Sequence, residues 1–242
     1  MLAVLAASSV VSWFWLLLPC FIWLVIAVAG SGLVQSGYHI KTLYKKKGAT
    51  VKEIAITFDD GPTPETEKVL ELLSRYNAKA TFFCIGSQIE KYPEVLQKTL
   101  NEGHTVGNHT YSHSTKLSLF PVNKTVEDIT LTDSFIIKYS NKKPLLFRPP
   151  FGVTSPRIAK ALRLTGHYVI GWNVRSLDAV TEDETKIFNR IKRGIAPGSI
   201  ILLHDTSQKT VNVLEQLLLL LQQQGYKAVT VDALLDIPAY EK

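Results

Sequence analysis

The sequence predicts an α/β protein with a parallel sheet, either doubly wound or closed as a barrel. Two observations favour this class. After residue 52, short apolar runs typical of buried strands alternate with longer stretches of helical periodicity. The polar motifs of interest directly follow the apolar runs, and the carboxyl ends of strands are where barrels and open α/β sheets hold their sites. With 242 residues, the chain is long enough for one such domain and an extension.

The individual elements follow from these runs in chain order. Seven strands are expected, at residues 53–59, 78–85, 104–108, 145–148, 168–173, 199–204 and 227–231. Six helices are expected between them, at residues 65–75, 89–101, 126–139, 156–164, 182–193 and 211–223. No internal repeat or low-complexity tract appears in this part of the sequence.

The first 39 residues differ in composition from the rest of the chain. Residues 2–39 contain no Asp, Glu, Lys or Arg, and residues 10–29 are almost wholly apolar. A run of about 20 apolar residues can span a bilayer as a helix. A cleaved signal peptide is the alternative, but the run is longer than a typical signal-peptide core and no basic segment precedes it. We therefore expect one transmembrane helix that remains as an anchor, within residues 1–35.

The charge of the chain limits its partners. A net charge of +6 and a pI near 9.2 suit an anionic partner such as nucleic acid, a lipid surface or an acidic cell-wall polymer. Because Lys and Arg are scattered, with residues 45–47 as the only run of three, we expect no nucleic-acid partner. This run lies in residues 36–52, a predicted basic linker, and by the positive-inside tendency it favours the cytoplasm for that side of a membrane.

The two cysteines permit at most one disulfide. Cys20 lies in the membrane-like segment, whereas Cys84 lies in a predicted core strand. Because these two environments are separate, the sequence predicts two free thiols.

Two adjacent carboxylates end the first long strand. Neighbouring side chains on a strand point to opposite faces, so Asp59 and Asp60 can share a site only where the chain leaves the sheet, at Gly61 and Pro62. One carboxylate can then bind a metal while the other acts as a base. A solvated turn is the plain alternative for this pair.

Two histidines follow the third predicted strand. On one helical turn, the spacing of His109 and His113 puts both imidazoles on one face, within reach of a single cation. With Asp60 they form a set of two histidines and one carboxylate that leaves coordination positions open for water and substrate. Alone, the two histidines could be ordinary loop residues; the combination with Asp60 favours a metal site.

Two more motifs end later strands. Arg148 precedes two prolines that stiffen a loop, and the next free backbone N–H in that loop belongs to Phe151. This N–H could donate to a developing oxyanion, and Arg148 could pair with a carboxylate such as Asp59. His204 closes another apolar strand and suits a general acid. A surface arginine and a histidine satisfied by neighbouring backbone are the alternatives.

Taken in order, these motifs resemble the polysaccharide deacetylases of carbohydrate esterase family 4, which share the NodB homology domain. The resemblance covers roughly residues 53 to 235 and is carried by five motifs, at residues 57–62, 109–113, 148–152, 175–179 and 202–205. It implies a distorted (β/α) barrel with about seven parallel strands, here preceded by one N-terminal transmembrane helix. Residues 53–242 are then the catalytic domain.

The resemblance also implies a role for each matched residue. The catalytic set is Asp59 as base, Arg148 to position that base, His204 as general acid, and Asp178 to orient His204 and hold its pKa up. The metal ligands are Asp60, His109 and His113, for a divalent cation such as Zn²⁺. Substrate contacts come from the backbone N–H of Phe151, as oxyanion donor, and from Leu202, as one wall of the pocket for the acetyl methyl group.

The fourth motif departs from the family pattern. Where the family has Asp-x-x-Asp followed by Trp, residues 175–179 keep only the second acid, Asp178. Ala179 replaces the Trp that forms the other wall of the acetate pocket, and Arg175 places a cation where a carboxylate is usual. Trp172 or the stem of Arg175 could fill the space that the missing indole leaves.

The expected function is metal-dependent hydrolysis that removes N-acetyl groups from sugars of a cell-envelope polysaccharide, with peptidoglycan as the first choice. A deformylase or deacetylase of a lipid-linked sugar and a glycan-binding pseudoenzyme are the alternatives. We expect a monomer whose partners are the polysaccharide and the membrane. The resemblance to enzymes of wall polymers favours a single-pass membrane protein with its catalytic domain outside the cytoplasm, against the positive-inside tendency.

Overall fold

The computed structural model of this protein describes residues 13–241. Its centre is a curled parallel sheet, and the strands of the described chain are β1 (Thr42–Leu43), β2 (Glu53–Asp59), β3 (Ala80–Cys84), β4 (Thr105–Asn108), β5 (Leu146–Phe147), β6 (Tyr168–Ile170), β7 (Val174–Arg175), β8 (Ile200–His204) and β9 (Lys227–Val229). The α-helices of the described chain precede, separate and follow these strands: α1 (Leu17–Gly32), α2 (Pro64–Arg75), α3 (Gly86–Lys91), α4 (Pro93–Asn101), α5 (Val122–Ser140), α6 (Pro156–Thr165), α7 (Glu184–Gly194), α8 (Gln208–Gln223) and α9 (Val231–Leu235).

The strands follow the order β1-β6-β5-β4-β3-β2-β8-β7, and all the strand pairs are parallel. The last strand, β9, pairs with the first half of β2, below the point where β3 begins. An isolated antiparallel bridge joins Lys45, after β1, to Ser199, before β8. This curled sheet of parallel strands matches the predicted (β/α) barrel.

The side chains of β2 show how the sheet divides the core. Ile54, Ile56 and Phe58 pack into the larger apolar cluster with the helices, whereas Ala55 belongs to a second cluster with Trp172 and other residues. Successive side chains on a strand alternate between faces, so Asp59 lies on the same face as Ala55. The base predicted from the sequence therefore ends the inner row of the central strand.

Several predicted elements have different bounds in the structure. The helix expected at residues 89–101 is two helices, because Pro93 lacks a backbone N–H and begins α4 as its first residue. The strand expected at residues 168–173 ends at Ile170, and the chain rejoins the sheet as β7. The strand expected at residues 227–231 ends at Val229, since Val231 already begins α9.

The predicted membrane segment is residues 10–29. Its first three residues lie outside the described chain. From Trp13 it forms a 3₁₀ turn and then α1, whose long apolar side chains are largely exposed. Among residues 13–241, no helix has both the length and the apolar character needed to cross a membrane. Both cysteines are free, Cys20 exposed and Cys84 buried, as predicted.

The chain after α1 is attached to the rest of the fold. Gly30 is buried against Tyr38, and the Ser31 carbonyl accepts a hydrogen bond of 2.9 Å from the Thr154 N–H. Val34 is buried in the cluster that contains Trp172. Residues 36–52, the predicted basic linker, include β1, which pairs with β6. The division of the chain into anchor, linker and domain stays a prediction.

Candidate active site

The polar motifs converge at the carboxyl ends of the strands, around a cavity of about 210 Å³. The cavity is lined by Asp59, Asp60, His109, His113, Phe151, Trp172, Arg175, Leu177, Ala179, Val180, Leu202 and His204. Seven of the nine predicted site residues are in this set. The other two, Arg148 and Asp178, lie behind it and contact members of the lining. The fold thus brings all nine to one place.

Arg148 fixes the predicted base from below. Its side chain is fully buried, and its Nη1 donates to Asp59 Oδ1 and to Thr57 Oγ1, both at 2.7 Å. Its other nitrogens donate to the Ile170 and Gly171 carbonyls at 3.2 and 3.0 Å. With the guanidinium held at so many points, the Asp59 carboxylate is locked in one orientation, with Oδ2 on the side of the histidines.

Asp60, His109 and His113 form a compact set of potential metal ligands. Asp60 Oδ1 lies 3.2 Å from His113 Nε2 and 3.5 Å from His109 Nε2, and one ligand atom from each residue falls within 4.8 Å of the others. Asp60 Oδ1 is buried without a hydrogen-bond partner among the described residues. A buried, unpaired carboxylate oxygen beside two imidazole nitrogens fits a divalent cation.

The protonation of these residues suits metal binding. His109 Nδ1 lies 2.7 Å from the Arg148 carbonyl, which can only accept, so the proton is on Nδ1 and the lone pair of Nε2 faces Asp60. Burial opposes charge on Asp60, but the neighbouring imidazoles of His109 and His113 outweigh it and lower the Asp60 pKa to about 2. Burial lowers the pKa of His113. Asp60 is therefore ionised and His113 tends to be neutral near pH 7.

The loop that carries the two histidines is not the helical turn that their spacing suggested. It is a series of bends in which Thr110 and His113 have positive φ, of 66° and 43°. Asn108, at the end of β4, holds it: its Oδ1 accepts from the Thr110 N–H at 2.8 Å, and its Nδ2 donates to Asp133 Oδ1 at 2.7 Å. The side-chain network from α5, not helical periodicity, brings the imidazoles together.

His204 is held at the cavity by Asp178. His204 Nδ1 lies 2.8 Å from Asp178 Oδ1, and the His204 backbone N–H donates to Asp178 Oδ2 at 2.8 Å. Ser176 and Thr210 hydroxyls donate to the same carboxylate. Burial lowers the His204 pKa, but the hydrogen bond and charge of Asp178 outweigh it and raise the pKa to about 9. His204 is therefore protonated near pH 7, as a general acid must be.

The loop after β5 forms the mouth of the cavity. Hydrogen bonds from Gly152 N to the Pro149 carbonyl and from Val153 N to the Pro150 carbonyl close this loop, and they leave the Phe151 N–H without an acceptor in the described chain. The half-exposed Phe151 ring lies 4.8 Å from the ring of His113. An unpaired, rigidly held N–H at this position could serve as an oxyanion donor.

The apolar wall is built differently from the family pattern. Leu202, Ala179 and Val180 all line the cavity. Trp172 also lines the cavity, and it is one of the two residues that were expected to fill the space of the missing indole. Gly152, at φ 71°, has no Cβ and so leaves room for the Trp172 ring. Arg175 is the second predicted filler and lines the cavity too.

Backbone strain concentrates here. Eight non-glycine residues of the described chain have positive φ, and five of them lie in the site loops: Asp60, Thr110, His113, Phe151 and Leu177. The other three are Asn or Asp, which tolerate this conformation. Positive φ costs about 1–3 kcal/mol for residues such as these, and such strain clusters where function needs a fixed geometry.

Sequence reasoning missed some supporting residues. Asp205 is buried under Gly61, where a Cβ would collide with its carboxyl group, and Thr66 donates to its Oδ2 at 2.5 Å. Burial raises the Asp205 pKa to about 7. Asn108 and Thr57 were also missed. The signal for all three was available, because each is a polar residue within or next to an apolar strand that carries a motif.

Comparisons with known proteins point to the family that the motifs resemble. The family model for polysaccharide deacetylase matches residues 46–170. A peptidoglycan-N-acetylglucosamine deacetylase of Bacillus cereus is 39% identical over 194 residues, which cover 76% of this chain and 88% of that protein. The peptidoglycan-N-acetylmuramic acid deacetylase PdaC of Bacillus subtilis is 35% identical over 187 residues, or 77% of this chain. The match spans only 39% of PdaC itself.

A solved structure supports the same relationship. The chain superposes on the Bc1960 peptidoglycan N-acetylglucosamine deacetylase with a TM-score of 0.78 and 29% identity, over 83% of this chain and 95% of that one. The sequence motifs, the curled parallel sheet and these matches lead to one conclusion. The chain belongs to the polysaccharide deacetylase family, carbohydrate esterase family 4.

Proposed function

We propose that this protein is a metal-dependent N-deacetylase of peptidoglycan. The observation that carries the proposal is the completeness of the site: a buried carboxylate fixed by Arg148, a protonated imidazole fixed by Asp178, and a three-residue ligand set all face one cavity. The relatives at 39% and 35% identity are named as peptidoglycan deacetylases, which favours peptidoglycan over other N-acetylated polymers.

The residues divide the reaction between them. Asp59, with Oδ1 held by Arg148, takes a proton from the attacking water through Oδ2. His204 donates a proton to the departing amine and so releases acetate and a free amino sugar. The Phe151 N–H donates to the developing oxyanion. Asp60, His109 and His113 would hold a divalent cation, which would supply Lewis acidity to the reaction. Two imidazoles and a carboxylate suit Zn²⁺.

We also propose that the apolar N-terminal segment anchors the protein in a membrane, with the catalytic domain outside the cytoplasm. The support is α1, which has no charged residue and exposes large side chains such as Phe21, Trp23 and Val28. Protease treatment of intact cells tests this orientation. Complete protection of the domain would contradict it.

The same apolar helix favours a second candidate, hydrolysis of a lipid-linked amido sugar. The cavity lacks the large wall residue of the family at Ala179, and its rim carries the exposed apolar side chain of Val180. A glycan-binding pseudoenzyme would gain nothing from keeping Asp59 and His204 fixed together.

One experiment separates these functions. The full-length protein, loaded with Zn²⁺, is incubated with peptidoglycan fragments, chitin oligosaccharides, an O-acetylated sugar and a lipid-linked N-acyl sugar. Mass spectrometry then detects the loss of single acetyl groups. Asp59→Asn protein is the control for a contaminating activity. We expect loss from peptidoglycan fragments, and turnover of the lipid-linked sugar alone would favour the second candidate. No loss from any substrate would refute the enzyme proposal.

A further inference from the structure

Arg175 is a cation in the wall of the catalytic cavity, and nothing in the proposed reaction uses it. We propose that it forms a subsite for a carboxylate of the substrate. The favoured substrate is then an N-acetylated sugar that carries a carboxylate close to its acetamido group. This inference rests on the proposed deacetylase function and narrows its substrate class.

The register of the sheet places Arg175 near the reacting groups. Arg175 on β7 pairs with Leu202 on β8, which in turn pairs with Thr57 on β2, so the three share one row of the inner face. The next inner row is Asp59 beside His204. Two residues along a strand span about 7 Å. The Arg175 backbone therefore lies about that far from the row of Asp59 and His204, towards the amino ends of the strands. A long side chain can bridge that distance to a bound sugar.

The charge of Arg175 has no partner in the described chain. The other charged lining residues each face a group of the site: Asp59 with Arg148, Asp60 with His109 and His113, His204 with Asp178. The guanidinium of Arg175 makes neither a hydrogen bond nor an ion pair with residues 13–241. Its Cζ lies 6.0 Å from the centre of the Trp172 ring. It is exposed and available to a ligand.

A carboxylate is the group that fits this cation. A guanidinium presents a planar fork of N–H donors that matches the two oxygens of a carboxylate, and contact with an aromatic ring leaves the donors on its edge free. A phosphate monoester would also pair, but it brings more negative charge towards Asp59 and Asp60. A neutral N-acetylated polymer has no group that pairs with the Arg175 cation, so Arg175 adds nothing to its binding.

The test compares substrates that differ only in charge. One disaccharide carries the free lactyl carboxylate of N-acetylmuramic acid, and its matched partner has that carboxyl group converted to a methylamide. A third carries a uronic acid next to N-acetylglucosamine, and a fourth carries a phosphate monoester. The lactyl and uronic acid substrates distinguish the two sources of a carboxylate. The kcat/KM of the Zn²⁺-loaded full-length protein is measured for each.

We expect the wild-type protein to prefer a carboxylate sugar over the methylamide by about 10-fold, the effect of one charged hydrogen-bonded pair. Arg175→Gln should remove this preference, because kcat/KM for the carboxylate sugar should fall about 10-fold more than kcat/KM for the methylamide. Arg175→Lys should restore part of it, because the charge returns without the fork. Arg190→Gln is the matched control, since it removes an exposed cation on α7 that does not line the cavity.

Two results would overturn the inference. If Arg175→Gln lowered kcat/KM equally for charged and neutral sugars, the residue would support the cavity without binding a substrate carboxylate. A preference of the wild-type protein for the phosphate monoester would exclude a carboxylate subsite. Failure of the proposed function looks different, because the wild-type protein would then release no acetate from any sugar. Calorimetric binding of the carboxylate sugar to Asp59→Asn protein, with and without Arg175→Gln, tests the subsite in that case: equal affinities refute it.

Discussion

The charge state of His204 depends on one buried carboxylate, so Asp178→Asn is a direct test of the proposed general acid. In the folded protein the His204 pKa is raised to about 9, chiefly because Asp178 contributes a hydrogen bond of 2.8 Å and a negative charge against the effect of burial. Asparagine can keep a hydrogen bond but not the charge. The His204 pKa should therefore fall to about 6.5, the ordinary value for histidine, or below it.

The magnitude follows from the fraction of His204 that is protonated. At pH 8, a group with a pKa of about 9 is roughly 90% protonated, whereas one with a pKa of about 6.5 is roughly 3% protonated. The variant should thus lose about 30-fold in kcat/KM at pH 8 beyond any loss from geometry. The additional loss should vanish below pH 6, where His204 is protonated in both proteins, and it should grow as the pH rises.

The assay is the pH profile of kcat/KM between pH 5 and 10, with metal content measured at each point. The alkaline limb should lie near pH 9 in the wild-type protein and move to pH 6.5 or below in Asp178→Asn. Asp236→Asn serves as the control, because it removes an exposed carboxylate far from the cavity and keeps a side chain that tolerates positive φ. An alkaline limb that stays in place would refute the assignment of His204 as the acid held by Asp178.

Four further predictions concern the metal, the base, the pocket and the N-terminal segment. His109→Ala should lose most Zn²⁺ uptake, measured by metal analysis of the purified protein, because only two protein ligands remain. Asp59→Asn should keep its metal but lose about 10²- to 10⁴-fold in activity, and loss of the metal would exchange the roles of the two aspartates. Ala179→Trp should raise the preference for N-acetyl over N-propionyl sugars by about 10-fold, and an unchanged ratio would mean that another side chain already closes the wall. A chain that starts at Gly48 should unfold at a lower temperature than one that starts at Gly30, because it lacks β1 and the buried Val34, and equal melting temperatures would contradict this.

Most of the sheet could be predicted because its inner strands are short apolar runs with few alternatives. The bounds of β2 match the prediction at both ends, and β8 differs by one residue. The edge strands β1 and β7 could not be predicted, because each is two residues long and has no periodicity of its own. Their pairing depends on partners far along the chain, and no local pattern encodes it.

Site residues that belong to a sequence motif could be predicted. Residues that support the site through hydrogen bonds between distant elements could not. The pairing of Asp59 with Arg148 was expected, since a carboxylate and a guanidinium at two strand ends suggest each other. The hydrogen bond from Asn108 to Asp133 was not expected. It joins β4 to α5, and no spacing in the sequence indicates such a contact. The helical turn assumed for His109 and His113 was wrong for the same reason, since tertiary contacts determine that loop.

The energetic cost of this site argues that the pocket was kept for chemistry. A buried ion pair such as Asp59–Arg148 is seldom a net source of stability, and apolar residues of the same volume often serve as well or better. Each positive-φ residue in the site loops costs about 1–3 kcal/mol more. A surface that merely bound a glycan would need neither a buried ion pair nor strained backbone. A fixed base, a fixed acid and an unpaired Asp60 oxygen within one cavity are what hydrolysis requires, because the groups must be in place before the charge develops in the transition state.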